Sequence, residues 1–109
     1  MIIAVNLMPL FGPKRITNLG TLGGATSKGL AIDDSENPRI VGYSYTTNQY
    51  KHAFLWQNNV MQDLGTLGGS ASVARSINNA GEVVGYSVAD NNESHAFLWS
   101  NGQMLDLND

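Results

Sequence analysis

Residues 52–56 read HAFLW, and residues 95–99 read HAFLW again, 43 positions further on. In a strand, successive side chains alternate between two faces. Ala96 and Leu98 then share one face, while His95, Phe97 and Trp99 share the other. Both faces carry large apolar groups. A sheet with one wet face would alternate apolar with polar residues, so this strand is expected to be covered on both sides.

The duplication extends well beyond the pentapeptide. LGTLGG occupies 19–24 and 64–69, a shift of 45, and Ser27 and Ile32 match Ser72 and Ile77 at that shift. VGYS stands at 41–44 and 84–87, and it shares a shift of 43 with HAFLW. Met61, Asp63 and Leu64 keep the same shift against Met104, Asp106 and Leu107. The change from 45 to 43 marks a two-residue insertion in DDSENPRI (33–40), where the second copy reads NNAGEV (78–83). Insertions are absorbed by loops, so a turn is expected there. Earlier in the chain, Ile16 and Asn18 fall in register with Met61 and Asp63, and residues 7–11 fall in the place of HAFLW. The chain thus divides into a partial repeat over 1–18, supplying the last two strands of a unit, then full repeats over 19–63 and 64–109.

Each full repeat reads as four short strands. ASVARSI (71–77) ends at the turn-forming Asn78-Asn79-Ala80-Gly81, and EVVGYSV (82–88) follows, rich in β-branched and aromatic residues. After the polar ADNNES (89–94) come SHAFLWS (94–100), the hairpin signal Asn101-Gly102, and a last strand within GQMLDL (102–107). No segment spaces its apolar residues at 3.6 over a helical length, so the fold class is all-β. Four strands in about 45 residues, covered on both faces by neighbours, describe the blade of a β-propeller. Gly42 and Gly85 are expected where strands crowd. LGTLGGS would link one blade to the next.

Composition narrows the function. At 109 residues the chain is one small domain. It is 42% hydrophobic and 14% charged, against roughly 25% charged in an average globular chain, which excludes disorder. A net charge of −3 with no basic run gives no footprint for nucleic acid or an anionic membrane. The absence of cysteine excludes disulfides, thiolate catalysis and Cys-ligated zinc. The opening MIIAVNLMPLF lacks a charged leader, is interrupted by Pro9 and is too short to span a bilayer, so it reads as a buried strand rather than a signal peptide.

The succession DLGTLGGS, A-x-x-IN-x-x-G-x-VVG-x-S, HAFLW and G-x-M-x-DL resembles the HAF-repeat family, over residues 16–107. The first copy departs from it with Asp33-Asp34 in place of the Asn pair and Pro38 near the turn glycine. The resemblance implies a propeller-like architecture and a secreted or cell-envelope location, and it brings no established catalytic activity. Propellers close with about four to eight blades. Two and a half repeats would leave apolar blade faces in water, so completion by a homo-oligomer is expected. A segment of a larger repeat protein is the alternative.

His52 and His95, with Asp63 and Asp106 nearby, invite a catalytic reading. Their recurrence in both repeats favours a scaffold role, as does that of Phe54, Trp56, Phe97 and Trp99. No catalytic residue, metal site or cofactor is assigned, since no nucleophile elbow, phosphate loop or HExxH is present. The acidic run 33–37 lacks the glycine and distal glutamate of a calcium loop. Candidate ligand-binding residues are the loop positions that differ between copies: Tyr45, Asn48, Gln49 and Tyr50 in one, Asp90, Asn91, Asn92 and Glu93 in the other. Tyr43, Tyr86, Trp56 and Trp99 are expected between blades. The function expected is a non-enzymatic binding or interaction scaffold, with a carbohydrate or protein as the ligand it would take. A glycan-binding propeller and a purely structural segment of a bacterial surface protein remain alternatives.

Overall fold

The computed structural model describes residues 2–5 and 15–107, with side chains described from Leu19 onward. Every regular element among the described residues is a strand: β1 (Ile2–Val5), β2 (Arg15–Asn18), β3 (Gly23–Ile32), β4 (Ile40–Thr46), β5 (Lys51–Gln57), β6 (Val60–Gly65), β7 (Gly68–Ile77), β8 (Val83–Ala89), β9 (Ser94–Ser100) and β10 (Gln103–Asp106). Strands β3 to β6 form one four-stranded antiparallel sheet in chain order, and β7 to β10 form a second. Neither sheet closes on itself; they are open, blade-like sheets. Among the described residues, strand β1 pairs with β2 alone.

Turn chemistry fixes the hairpins. Asn58 and Asn59 take φ of 54° and 66°, and Asn101 and Gly102 take 52° and 83°. Positive φ at both central residues suits the right-handed twist of the flanking strands, and asparagine and glycine tolerate it best. The longer first-repeat turn closes by an Asp33 N to Arg39 O bond of 3.0 Å, and the shorter one by Asn78 N to Glu82 O at 3.1 Å. The two-residue insertion therefore lies in a loop, as its sequence context requires.

Register places the described part of the N-terminal segment. Residue Asn18, which matches Asp63, stands opposite Ile2, whereas Asp63 stands opposite Phe54. Strand β1 thus takes the place of the FLWQ end of β5. Residues 7–11, expected there, lie outside the described residues.

The two sheets stack face to face, with β7 packing across β3, β4 and β5. Two faces can be distinguished in each sheet. The trailing face of the first sheet carries Val41, Ala53, Leu55 and Leu64, all buried against Ala74, Val83 and Phe97 on the leading face of the second. Ile77, Trp99 and Met104 close the margin of this cluster. On the leading face of the first sheet, Leu19, Ile40 and Phe54 form a second buried cluster with Leu22, Trp56 and Met61 at its edge. One HAFLW segment therefore feeds both clusters: Phe54 and Trp56 on one side, Ala53 and Leu55 on the other.

Buried serines supply the polar part of this packing. The fully buried Ser72 hydroxyl accepts from Ala53 N across the sheets at 2.8 Å and donates to Gly65 O at 2.6 Å. Ser44 and Ser87 accept from Leu22 N and Leu67 N, each at 2.8 Å, at matching positions of the two sheets. An unpaired buried amide costs about 1–3 kcal/mol, so each serine removes such a penalty where the ladder is interrupted. The linker itself is short: β6 runs to Gly65 and β7 starts at Gly68, so only Thr66 and Leu67 of the LGTLGGS segment lie outside the strands.

A candidate interaction face

Strands β8, β9 and β10 align Val84, Leu98 and Leu105 as cross-strand neighbours, with Ser76 of β7 completing the row. This is the trailing face of the second sheet. Repeat matching pairs it with the row Ala31, Val41, Leu55 and Gln62 of the first sheet, where Val41 and Leu55 are buried by the second sheet. Here Val84, Leu105 and Leu107 are 42%, 48% and 55% exposed, and Ala96, the match of the buried Ala53, is exposed too. The expectation that both faces of HAFLW are covered thus holds for β5 and fails for β9. Nothing in the described chain follows the second sheet, so the same side chains that build an interface in one repeat stand in solvent in the next.

The face is not flat. Ser76, Ile77, Asn78, Glu82, Val84 and Leu98 line an open depression of about 170 Å³ at its β7 side. At its β10 side Leu105 stands where the first repeat has the polar Gln62. Tyr86, expected between blades, lies on this same face, 37% exposed, with the Arg75 guanidinium 5.8 Å from its ring centroid. Its counterpart Tyr43 is only partly covered, edge-on to Tyr45 at 6.2 Å and under Lys51 Nζ at 4.4 Å. The tyrosines are therefore corrected from interface core to flanking positions; the tryptophans pack at the cluster margins.

The loop residues proposed for ligand binding form two tight, self-satisfied turns. Thr46 N donates to Tyr50 O at 2.9 Å, and Gln49 takes φ of 69°. The matching turn bonds Ala89 N to Glu93 O at 2.8 Å, with Asn92 at φ 66°. Asn91 and Glu93 are exposed yet bonded to each other, Asn91 Nδ2 donating to Glu93 Oε1 at 3.0 Å. Asn48, Gln49, Tyr50, Asp90 and Asn92 are exposed as well, and Tyr45 is half-buried. That an apolar blade face would stand in water was legible from the repeat count; the Gln62 to Leu105 change is the residue difference between the copies that marks it.

The histidines meet the aspartates named with them. His52 Nδ1 donates to both Asp63 carboxylate oxygens at 3.0 Å, and His95 Nδ1 donates to Asp106 Oδ2 at 2.8 Å. Each pair ties the third strand of its sheet to the fourth. In the second sheet the arrangement is closed further: His95 Nε2 is buried without a hydrogen bond, 3.8 Å from Glu93 Oε1. The hydrogen bond to Asp106 raises the His95 pKa above its ordinary value of 6.5; partial burial opposes this, and the charges of Asp106 and Glu93 reinforce it. A raised folded-state pKa means that the stabilisation is complete below the unfolded value and is lost as pH rises through the folded one. The stability lost in His95→Gln is thus expected to be largest below pH 6.5 and to shrink as pH rises above it, read as urea midpoints for both chains. A constant difference on both sides of that value would disprove the charged pair.

The acidic turn is held from within. Asp33 is buried, which pushes its pKa up, but hydrogen bonds from Arg39 N and Nε and from Ser35 outweigh burial and leave it below the ordinary 3.8. Its carboxylate is thus engaged by Arg39 and Ser35. Arg39 continues to Asn79 O at 2.9 Å, and Asp34 N donates to Asn79 Oδ1 at 2.8 Å, joining the turns of the two sheets. In the second repeat Asn78 Oδ1 fills the role of Asp33, accepting from Ala80 N and Glu82 N. No cluster of three or more metal-ligating side chains is found among the described residues, and no helix there is long and apolar enough to cross a membrane. Comparison with protein-family models, with curated proteins and with solved structures gave no match.

Proposed function

We propose that the protein is a non-enzymatic repeat module of β-propeller-type blades that works as an interaction scaffold and associates with itself. The observation that carries this reading is the open trailing face of the second sheet, whose counterpart in the first sheet is a packed interface. Contiguous exposed apolar surface on a small domain marks a contact site. The histidines support a scaffold over an enzyme: each is bound to an aspartate at equivalent places in both sheets, and the buried Nε2 of His95 is not placed to meet a substrate. The resemblance to HAF repeats supports a secreted or envelope setting for such a module.

Light scattering on a sizing column, across a dilution series, tests the association. The expected mass exceeds the 11.7 kDa of one chain at high concentration and falls toward it on dilution. A mass of one chain at every concentration would overturn self-association.

A further inference from the structure

Independently of the scaffold reading, we propose that protonated His95 is a latch that holds the edge strand β10 to the second sheet, and that loss of its proton lets β10 open while the other strands stay folded.

Apolar packing does little to hold β10. The strand is four residues long and lies at the edge of its sheet, against β9. Its match in the first sheet, β6, is six residues long and carries Leu64, which is buried in the inter-sheet cluster. The residue matching Leu64 is Leu107, and it is 55% exposed. Leu105 is exposed as well, and Met104 reaches only the margin of the cluster. The end of β10 is therefore fastened by polar contacts. Leu107 N donates to Ala96 O at 3.0 Å, and His95 Nδ1 donates to Asp106 Oδ2 at 2.8 Å.

The second of these contacts depends on a proton. Glu93 stands where the first repeat has Tyr50, so the His95 ring lies between two carboxylates. In a neutral ring that donates from Nδ1 to Asp106, Nε2 is an acceptor. It would be a buried lone pair without a donor, 3.8 Å from the Glu93 carboxylate, which is both unsatisfied and repelled. In the imidazolium both nitrogens are donors, and each faces a carboxylate. The charges acting on the ring are those of Asp106 on β10 and Glu93 in the 89–94 turn. Ser87, opposite on β8, is uncharged, and the Asp90 Cβ lies against Gly68. The charged residues of β5, β6 and β7 are engaged elsewhere: Lys51 over Tyr43, Asp63 on His52 and Arg75 over Tyr86. Loss of the proton thus removes the charge that ties β10 to the turn, and the Leu107 to Ala96 bond is left to hold the strand's end.

Amide hydrogen exchange followed by NMR tests the latch on the unaltered chain, with each rate divided by that of an unstructured chain at the same pH. Protection of the Leu107 amide and of the β10 amides is expected to lie below that of β8 at every pH. It is expected to fall several-fold as pH rises from below 6.5 to well above it, and to change little in mild urea, since local opening exposes little surface. In His95→Gln the β10 protection is expected to be low throughout and to lose its pH dependence. In Glu93→Gln the fall with pH is expected to shrink. Protection of β10 that does not change with pH in the unaltered chain overturns the latch. So does β10 exchanging only together with β8, which would mean that the strand leaves only when the whole chain unfolds. An undiminished fall in His95→Gln overturns it as well, by placing the titrating group elsewhere.

Discussion

Phe97→Ala is expected to lower the unfolding free energy by about 3–5 kcal/mol, the range for emptying a fully buried phenylalanine site. Phe97 has no solvent exposure and stands between the sheets with Val41, Leu55, Ala74 and Val83. Its removal opens a cavity in the surface that holds the two sheets together, and the backbone cannot collapse into it. The opposite wall is the β4–β5 ladder, fixed by its own cross-strand bonds. A domain of this size has about 5–15 kcal/mol to lose, so the variant should sit close to its unfolding transition at room temperature. Urea unfolding followed by tryptophan fluorescence checks it, with Trp99 reporting from the margin of the same cluster. Phe97→Leu should cost much less, because it keeps most of the volume. A loss under about 1 kcal/mol in Phe97→Ala would mean that face-to-face packing is not what joins the sheets.

How much of this was legible beforehand depends on whether the cause is local. Strand β9 occupies 94–100, as its alternation and the Asn101-Gly102 turn indicate. Strand β7 begins at Gly68, three residues before its sequence signal, because Gly68 to Ser70 have no β-preferring side chain and are drawn into the ladder opposite Ala89. At the N-terminus the apolar segments 2–5 and 7–11 look alike on composition. Hydrogen-bond register, which no residue type announces, selects Ile2–Val5. The histidine–aspartate pairs were readable as cross-strand partners because recurrence at one spacing implies one geometry.

An exposed blade face was expected from the repeat count, but which residues carry it was hidden for a different reason. Val41 and Val84 are the same residue in the same motif, yet one is fully buried and the other 42% exposed. Exposure here is set by what stands next to the sheet, not by the residue or its pattern. Repeats make this failure systematic: identical units predict identical environments, and a unit with no described neighbour on one side breaks the rule. The same logic demotes Tyr86. Its match Tyr43 is half-covered by Tyr45 and Lys51, and neither has a counterpart of that type in the second repeat, where Val88 and Ser94 stand instead.

The VGYS motif offers the second large effect, and here sequence and structure agree on the cause. Gly85→Ala is expected to destabilise the chain by about 3 kcal/mol, at the upper end for forcing atoms into a filled site. A Cβ at Gly85 would lie 2.0 Å from the carbonyl oxygen of Val73 and 3.0 Å from Ala74 Cα, both backbone atoms that cannot swing aside. The contact arises because β7 bulges between Ala74 and Ser76, pressing its backbone onto β8. Relief requires β7 and β8 to part, and Ala74 would leave the inter-sheet cluster with them. Gly42 repeats the geometry, 1.9 Å from Lys28 O, so Gly42→Ala should behave alike while disturbing only the margin of the interface. Gly102→Ala is the informative contrast. Its φ of 83° strains an alanine, but no atom lies within 4 Å of the added carbon, so a loss of about 1–2 kcal/mol is expected. Urea midpoints for the three variants rank the causes directly. Gly85→Ala and Gly42→Ala falling well below Gly102→Ala would establish close backbone approach as the reason for the glycine in VGYS. All three falling together would reduce it to backbone conformation.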